Sequence, residues 1–228
     1  MILVNLASAF AYPFKDPKWW LKALIAAVCN ITGIGGLATM CYGLRVVRSA
    51  AHNQPLPEWE DWGQLFVDGL RICALGAGYA LPGILCLILG SFLAFMLGPL
   101  GMLLLVVGVI LLIVGAVRST IAYMFLVPEG GSLSDAFQFS NVTKILNNNT
   151  GTVVLFLLFV AITNFFFNLV CGFSVNILLM HVIDSPQAVN FISSALLSPL
   201  ILFITAALYA QIMAKVMPYA LDGGISQE

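Results

Sequence analysis

Residues 55–70 read PLPEWEDWGQLFVDGL and lie between two long apolar segments. Pro55 and Pro57 favour an extended start, because each proline fixes its own φ and disfavours helix in the preceding residue. A helix that begins near Pro57 places acidic side chains in its first turn, where negative charge suits the helix dipole. One face of this helix is apolar because three aromatic side chains recur at helical spacing: Trp59, Trp62 and Phe66. This pattern predicts an amphipathic helix over 55–70 that lies at a membrane surface.

The composition of the 228-residue chain is typical of an integral membrane protein. Hydrophobic residues make up 61% and charged residues 8%, with a mean hydropathy of +1.04, whereas a soluble domain carries about 25% charged residues. The net charge of −1 indicates no nucleic-acid partner. We therefore predict an all-α, polytopic fold with about five transmembrane segments, in a single membrane domain over residues 1–228.

Apolar runs and the polar stretches between them divide the chain into predicted elements. Residues 1–19 mix aromatic, proline and lysine side chains, which is typical of an interfacial segment. Because a helical span needs about 20 apolar residues, we predict five membrane segments: 20–45, 70–89, 100–127, 152–183 and 189–217. Two amphipathic surface helices are predicted, at 55–70 and at 132–147, where Ser132 and Asp135 have capping-box-like spacing.

The first membrane segment leaves two topologies open. Its middle, residues 30–36, contains three glycines, each of which costs about 1 kcal/mol in a helix relative to alanine. A re-entrant hairpin fits the charges better, because all nine lysine and arginine residues then lie on one side of the membrane. A single span fits the length better and is preferred, because two legs of about a dozen residues cannot each cross about 30 Å of hydrocarbon. In both topologies the loop 46–69 is predicted to be cytoplasmic.

Small and polar residues mark helix faces that need neighbours. A glycine seam for helix packing is predicted from a seven-residue repeat: Gly101, Gly108 and Gly115. Hydroxyl and amide side chains recur along the last two segments: Asn164, Asn168, Asn176, Ser194 and Ser198. Because such groups need hydrogen-bond partners in hydrocarbon, they either join helices or line a wet path for a solute.

The sequence contains none of the common catalytic motifs, such as GxSxG, HExxH or a P-loop. The two histidines, His52 and His181, are predicted on opposite sides of the membrane. The five cysteines form no CxxC pair and are predicted to remain reduced. We therefore predict no enzymatic activity, no cofactor and no metal site. Whether His181 binds a pigment or a metal stays open, although a lone interfacial histidine is usually only solvated.

Three stretches of the sequence resemble a known family: 12–19 (YPFKDPKW), 42–48 (YGLRVVR) and 55–70. It is an uncharacterised family of bacterial and archaeal polytopic proteins, catalogued as a domain of unknown function. The resemblance is specific through Leu70, and after that residues 136–139 (AFQF) resemble the second amphipathic stretch of the family. It implies a prokaryotic inner membrane and supplies no activity, ligand or catalytic residue.

A rigid acidic and aromatic loop between helices that need neighbours suggests a protein that binds other membrane proteins. We predict a non-enzymatic accessory, scaffold or assembly subunit whose partners are the lipid bilayer and other membrane proteins. The predicted contact residues are three aromatic anchors and three orienting acids: Trp59, Trp62, Phe66, Glu58, Glu60 and Asp61. Two alternatives remain, a loop that only anchors to lipid and a small-solute transporter or channel lined by the five polar residues of the last two segments.

Overall fold

The computed structural model describes residues 6–33, 35–128, 131–167, 169, 173–181, 183 and 185–216. They are mainly helical and include no β-strand, which confirms the all-α prediction. The polytopic prediction is also confirmed, because four helices of this part are long and apolar enough to cross a membrane. These candidate spans are Trp62–Leu97, Pro99–Leu126, Phe139–Phe166 and Pro186–Ala214.

The described α-helices follow one another with short connections. They are α1 (Leu6–Ala11), α2 (Trp19–Ile31), α3 (Gly35–Ala51), α4 (Trp62–Leu97), α5 (Pro99–Ala122), α6 (Leu133–Ala136), α7 (Phe139–Phe167), α8 (Phe173–Met180) and α9 (Pro186–Val216). Short 3₁₀ turns occur at Pro13–Lys15 and Tyr123–Leu126. The chain divides into two compact units, one made of Met1–Leu70 with Gly151–Glu228 (unit 1) and one made of Arg71–Thr150 (unit 2).

The segment predicted at 20–45 forms two helices of unit 1 instead of one. α2 ends at Ile31 and α3 begins at Gly35, with Gly33 between them at φ +71°, a conformation that favours glycine. Lys22, near the start of α2, contacts Glu58, which lies beyond the end of α3. The two helices are therefore antiparallel, as in the hairpin alternative, and the preferred single helix across 20–45 is not formed.

The core of unit 1 lies between this hairpin and α9. α3 is buried over most of its length, and Tyr42 packs against Phe203 of α9 with ring centroids 5.7 Å apart. α2 buries its small side chains, including Ala26 and Ala27. Its opposite face is apolar and exposed: Trp20, Leu21, Leu24, Val28 and Ile31. An exposed apolar stripe of this length is suited to lipid.

The prediction of a separate surface helix at 55–70 was wrong, both in where the helix begins and in its being a separate element. The helix begins at Trp62 and continues as α4, and the residues before it are not helical. Asp61 has φ +52°, which is incompatible with a right-handed helix. Arg45 Nη1 donates to the Glu60 carbonyl oxygen at 2.8 Å. Tertiary hydrogen bonds of this kind hold the loop backbone in a non-helical conformation and override the local helix signals.

The predicted surface helix at 132–147 is also interrupted. Ser132 caps α6, since its Oγ accepts a hydrogen bond at 3.1 Å from the second helical amide. α6 ends after four residues, and the ring of the next residue, Phe137, packs into the space beside Gly78, where a Cβ would lie 2.5 Å from the ring. α7 then begins and is kinked at Asn149, whose φ and ψ are −129° and 20°.

In unit 2, α4 and α5 form an antiparallel hairpin whose turn is Gly98, with φ +56°. The glycine seam predicted on α5 lies at this helix–helix interface. Gly101, Gly108 and Gly115 face Ala94, Leu87 and Tyr79 of α4, and Gly83 and Gly90 of α4 face Leu112 and Leu105. A Cβ on Gly108 would lie 3.0 Å from the Leu87 backbone nitrogen, so the two helix backbones approach closely only because these positions lack side chains.

The remaining predicted membrane segments correspond to longer or divided helices. The segment at 70–89 is the middle of α4, and those at 100–127 and 189–217 correspond to α5 with its 3₁₀ turn and to α9. The segment at 152–183 falls on the second part of α7 and on α8. Its residues 168, 170–172 and 182 lie outside the described residues, as does residue 217, the last of the segment at 189–217.

Candidate functional site

A buried lysine ties the N-terminal segment to the acidic-aromatic loop, residues 55–61. Lys22 Nζ donates to Asp16 Oδ2 at 2.7 Å and to the Leu56 carbonyl oxygen at 2.6 Å. It also lies 3.0 Å from Glu58 Oε1. The Lys22 and Asp16 side chains are only 3% and 5% exposed. Each of the three ammonium protons therefore has an acceptor. We call Asp16, Lys22 and Glu58 the ionic latch.

The latch holds Asp16 in its charged form. Asp16 Oδ1 accepts a hydrogen bond from the Lys18 backbone amide at 2.8 Å. Burial alone would raise the pKa of Asp16, but the hydrogen bonds from Lys22 and Lys18 and their positive charges lower it below its ordinary value. Tyr12 is buried close by, and burial together with the negative charge of Asp16 raises the pKa of its phenol.

Three stacked rings connect the core of unit 1 to its surface. The rings of Tyr42 and Trp59 are parallel, with centroids 4.0 Å apart and an interplanar angle of 1°. Trp59 stacks in turn on Trp62 at 5.3 Å and 22°. Tyr42 is fully buried, and its hydroxyl donates to the Pro57 carbonyl oxygen at 2.7 Å. We call Tyr42, Trp59 and Trp62 the aromatic column, whose outer ring is 42% exposed.

The structure separates the six predicted interaction residues into two groups. Glu58 belongs to the latch, and Trp59 lies between the other two rings of the column. Phe66 is half-buried on α4. Glu58 is exposed although it is paired with Lys22, and the other three exposed residues are consecutive in sequence: Glu60, Asp61 and Trp62. We call these three residues the exposed triplet.

The predicted polar face of α9 includes hydrogen bonds to two other helices of unit 1. Asn30 Nδ2, next to the turn of the α2–α3 hairpin, donates to Ser198 Oγ at 2.8 Å. Asn176 Nδ2 of α8 donates to Asn190 Oδ1 at 3.1 Å. Because Asn190, Ser194 and Ser198 are spaced by four residues, they share one face of α9 over about 12 Å. We call these three residues the polar ridge. Asn190 and Ser194 are exposed.

Two residues that take part in these hydrogen bonds were not predicted from the sequence, Asn30 and Asn190. Asn30 lies beside the glycines that end α2, and Asn190 precedes Ser194 by one helical turn, so spacing alone identifies Asn190. The amide of Asn164 donates to the Val160 carbonyl oxygen of its own helix at 2.9 Å. Asn168 lies outside the described residues.

Within the described ranges, no group of three or more histidine, cysteine, aspartate or glutamate side chains is placed to hold a metal ion. His181 is exposed, and its Nδ1 lies 2.7 Å from the Ile177 carbonyl oxygen. Four cysteines have free thiols: Cys29, Cys41, Cys73 and Cys86. Cys171 lies outside the described residues.

A family model matches residues 24–177, a range that includes the acidic-aromatic loop and α3 to α7. The family is described as a protein of unknown function, DUF4013. No curated protein and no solved structure matches the chain. The match confirms the resemblance to an uncharacterised family. Because it extends over more than half of the sequence, the chain belongs to the DUF4013 family.

Proposed function

We propose that this protein is a non-enzymatic accessory, scaffold or assembly subunit that binds another membrane protein through the exposed triplet. The observation that supports this proposal is the aromatic column, which carries Trp62 on two further rings rooted in the core. The ionic latch fixes the same loop from its other end. A surface held in this way loses little conformational entropy on binding, which favours affinity.

The chemistry of the triplet defines the partner. Glu60 and Asp61 present two carboxylates beside the exposed indole of Trp62. Glu58 is paired with Lys22, whereas neither Glu60 nor Asp61 forms a salt bridge within the described residues. Tryptophan is a frequent binding hot spot, and complementary charge sets orientation and association rate. The partner surface is therefore an apolar pocket flanked by lysine or arginine side chains.

We place the loop 46–69 on the cytoplasmic side of a prokaryotic inner membrane. If the α2–α3 hairpin enters the bilayer and returns, the chain starts and ends on one side, and four spans follow. The basic residues are then all on that side: Lys15, Lys18, Lys22, Arg45, Arg48, Arg71, Arg118, Lys144 and Lys215. The exposed apolar face of α2 supports this insertion, and the positive-inside rule assigns the side.

The turn of the α2–α3 hairpin is a second place at which a partner protein would pack. Through Asn30 the turn meets Ser198, which lies twelve residues after the start of the 31-residue α9, near the middle of a candidate span. Thr32 and Gly33 are exposed and not α-helical there. Irregular backbone at membrane depth is tolerated against protein or water and not against lipid. A helix of the partner protein would supply such cover.

Photocrosslinking in living cells tests this function. Trp62→p-benzoylphenylalanine is expected to give a discrete protein adduct, because the probe replaces the outer ring of the column. The same probe at Phe95, an exposed apolar position of α4, serves as the lipid-facing control. Charge reversal by Glu60→Lys with Asp61→Lys should remove the adduct at position 62. A smear equal to that at position 95, unchanged by charge reversal, would refute the proposal.

The second candidate function is a small-solute transporter or channel, and the polar ridge favours it. Two ridge residues are exposed within a candidate span, and the irregular hairpin turn lies at one end of the ridge. Discontinuous helices beside polar side chains are a feature of transporter binding sites. A water-filled path along Ser194 would supply hydrogen bonds to the exposed ridge side chains and to the irregular backbone of the hairpin turn.

Cysteine accessibility separates the two candidates. In a variant without the native cysteines, Ser194→Cys is expected to react with a membrane-impermeant thiol reagent if a solute path exists. Leu155→Cys, an exposed apolar position of α7, is the control that faces lipid. Equal and negligible labelling at both positions would rule out the transporter. Rapid labelling at position 194 alone would instead favour it over the accessory subunit.

A further inference from the structure

Arg118, near the end of α5, carries a positive charge that no described side chain neutralises. The residue is half-buried, and its Nε is fully buried without a hydrogen-bond partner. Within the described residues, no carboxylate forms a hydrogen bond or an ion pair with Arg118. A buried charged donor without an acceptor is costly, so the Arg118 Nε–H needs an acceptor from outside these residues.

The polar groups around Arg118 in unit 2 are already engaged. The guanidinium lies within electrostatic range of the Tyr79 phenol, whose hydroxyl donates to the Ala136 carbonyl oxygen at 2.8 Å. The neighbouring Ser119 hydroxyl donates to the Ala116 carbonyl oxygen at 2.9 Å. In sequence, residues 71–150 contain three basic side chains and two acidic ones, so this part of the chain carries a small net positive charge.

The position of Arg118 along α5 corresponds to the depth of lipid headgroups. Arg118 follows Pro99, the first residue of the helix, by nineteen residues. At about 1.5 Å per residue this separation is about 29 Å, close to the thickness of the hydrocarbon core. An arginine that simply extends into water would expose its whole guanidinium. With Pro99 at the opposite boundary of the hydrocarbon core, the buried Nε of Arg118 would lie at the level of phosphate groups.

We propose that Arg118 binds the phosphate group of one phospholipid at the inner end of α5. Arginine matches phosphate well, because its planar guanidinium donates parallel hydrogen bonds to two oxygens. Phosphate oxygens would satisfy the orphan Nε–H and neutralise the charge at once. Anionic lipids are enriched in the cytoplasmic leaflet, the side that we assign to this end of α5. The lipid is independent of the protein partner of the exposed triplet.

Native mass spectrometry of the full chain in mild detergent tests this site. The purified protein is delipidated and titrated with phosphatidylglycerol, with diacylglycerol, which lacks the phosphate, and with inorganic phosphate. We expect one tightly bound phosphatidylglycerol, no displacement by diacylglycerol, and weak competition by inorganic phosphate. Arg118→Gln should weaken the first binding step about tenfold or more, and Arg118→Lys by less, since lysine keeps charge but not the planar fork. Lys144→Gln, which removes an exposed cation of the same unit, should change binding by less than about twofold.

Three results would overturn the proposal. Equal affinity of Arg118→Gln and wild type would show that Arg118 does not hold the lipid. Equal binding of diacylglycerol would show that the acyl chains and not the phosphate are recognised, and this arm uses only the wild-type protein. The third result concerns a carboxylate of this chain that pairs with Arg118 in place of the lipid phosphate. Glu129 is the acid nearest to Arg118 in the sequence. If Glu129→Gln creates a phosphatidylglycerol site that the wild type lacks, Arg118 is satisfied by the protein itself.

Discussion

The ionic latch makes Lys22 the residue at which one side-chain change should cost the most stability. Lys22→Met keeps the length of the side chain and removes an ammonium group that has three acceptors. Asp16 then remains almost fully buried without its ionic partner. Breaking a buried ion pair in this way costs about 3–5 kcal/mol. At about 2–4 °C per kcal/mol for a chain of this size, the apparent Tm should fall by about 6–20 °C.

The assay is thermal unfolding in detergent, followed by size-exclusion chromatography of the soluble fraction. Lys15→Met is the matched control, because it removes an exposed lysine from the same segment. Adding Asp16→Asn to Lys22→Met should restore part of the lost Tm, since an amide leaves no stranded charge in the interior. The reasoning is refuted if the apparent Tm of Lys22→Met falls no further than that of Lys15→Met. It is also refuted if the Tm changes of the two latch substitutions are simply additive.

Three further predictions concern acid, helix packing and the loop. Because the pKa of Asp16 is lowered in the folded state, its stabilisation is complete above about pH 3.9 and is lost as the pH falls through the lowered value. The apparent Tm of the wild type should therefore fall more steeply than that of Asp16→Asn in an acid titration. Gly101→Ala should destabilise the protein by about 1–3 kcal/mol, since a Cβ would meet the Ala94 backbone. Gly76→Ala has open space and should be neutral or slightly stabilising in the same melting assay, so equal shifts would contradict the packing account. Tyr42→Phe should cost about 0.5–1.5 kcal/mol by deleting one hydrogen bond to the loop, measurable as a Tm shift, and an unchanged Tm would exclude that role.

Predictions based on regular spacing along one helix agree with the structure better than those based on a loop. Gly101, Gly108 and Gly115 were identified by a seven-residue repeat, and all three lie where α4 and α5 approach. The apolar length of the last four predicted segments likewise agrees with the overlapping candidate spans, whereas the same criterion was wrong for 20–45, which forms the α2–α3 hairpin. Both features depend on residues close in sequence, so helical geometry is enough to predict them.

The acidic-aromatic loop shows why local signals fail elsewhere. The prolines and acids of 55–61 favour a helix start near Pro57, yet the loop backbone is bonded to Lys22, Tyr42 and Arg45 instead. Lys22 and Leu56 are 34 positions apart, a separation that no periodic pattern encodes. The same limit applies to the polar ridge, where Asn30 and Ser198 are 168 positions apart.

The α2–α3 hairpin has a consequence for how the chain is inserted during synthesis. Because Lys22 near the start of α2 contacts Leu56 and Glu58 after α3, the two ends of the hairpin lie together. With the loop on the cytoplasmic side, as we propose, the latch residues would not have to be translocated across the membrane. In this proposed topology α4 would be the first helix to carry the chain to the opposite face, and its start at Trp62 immediately follows the loop.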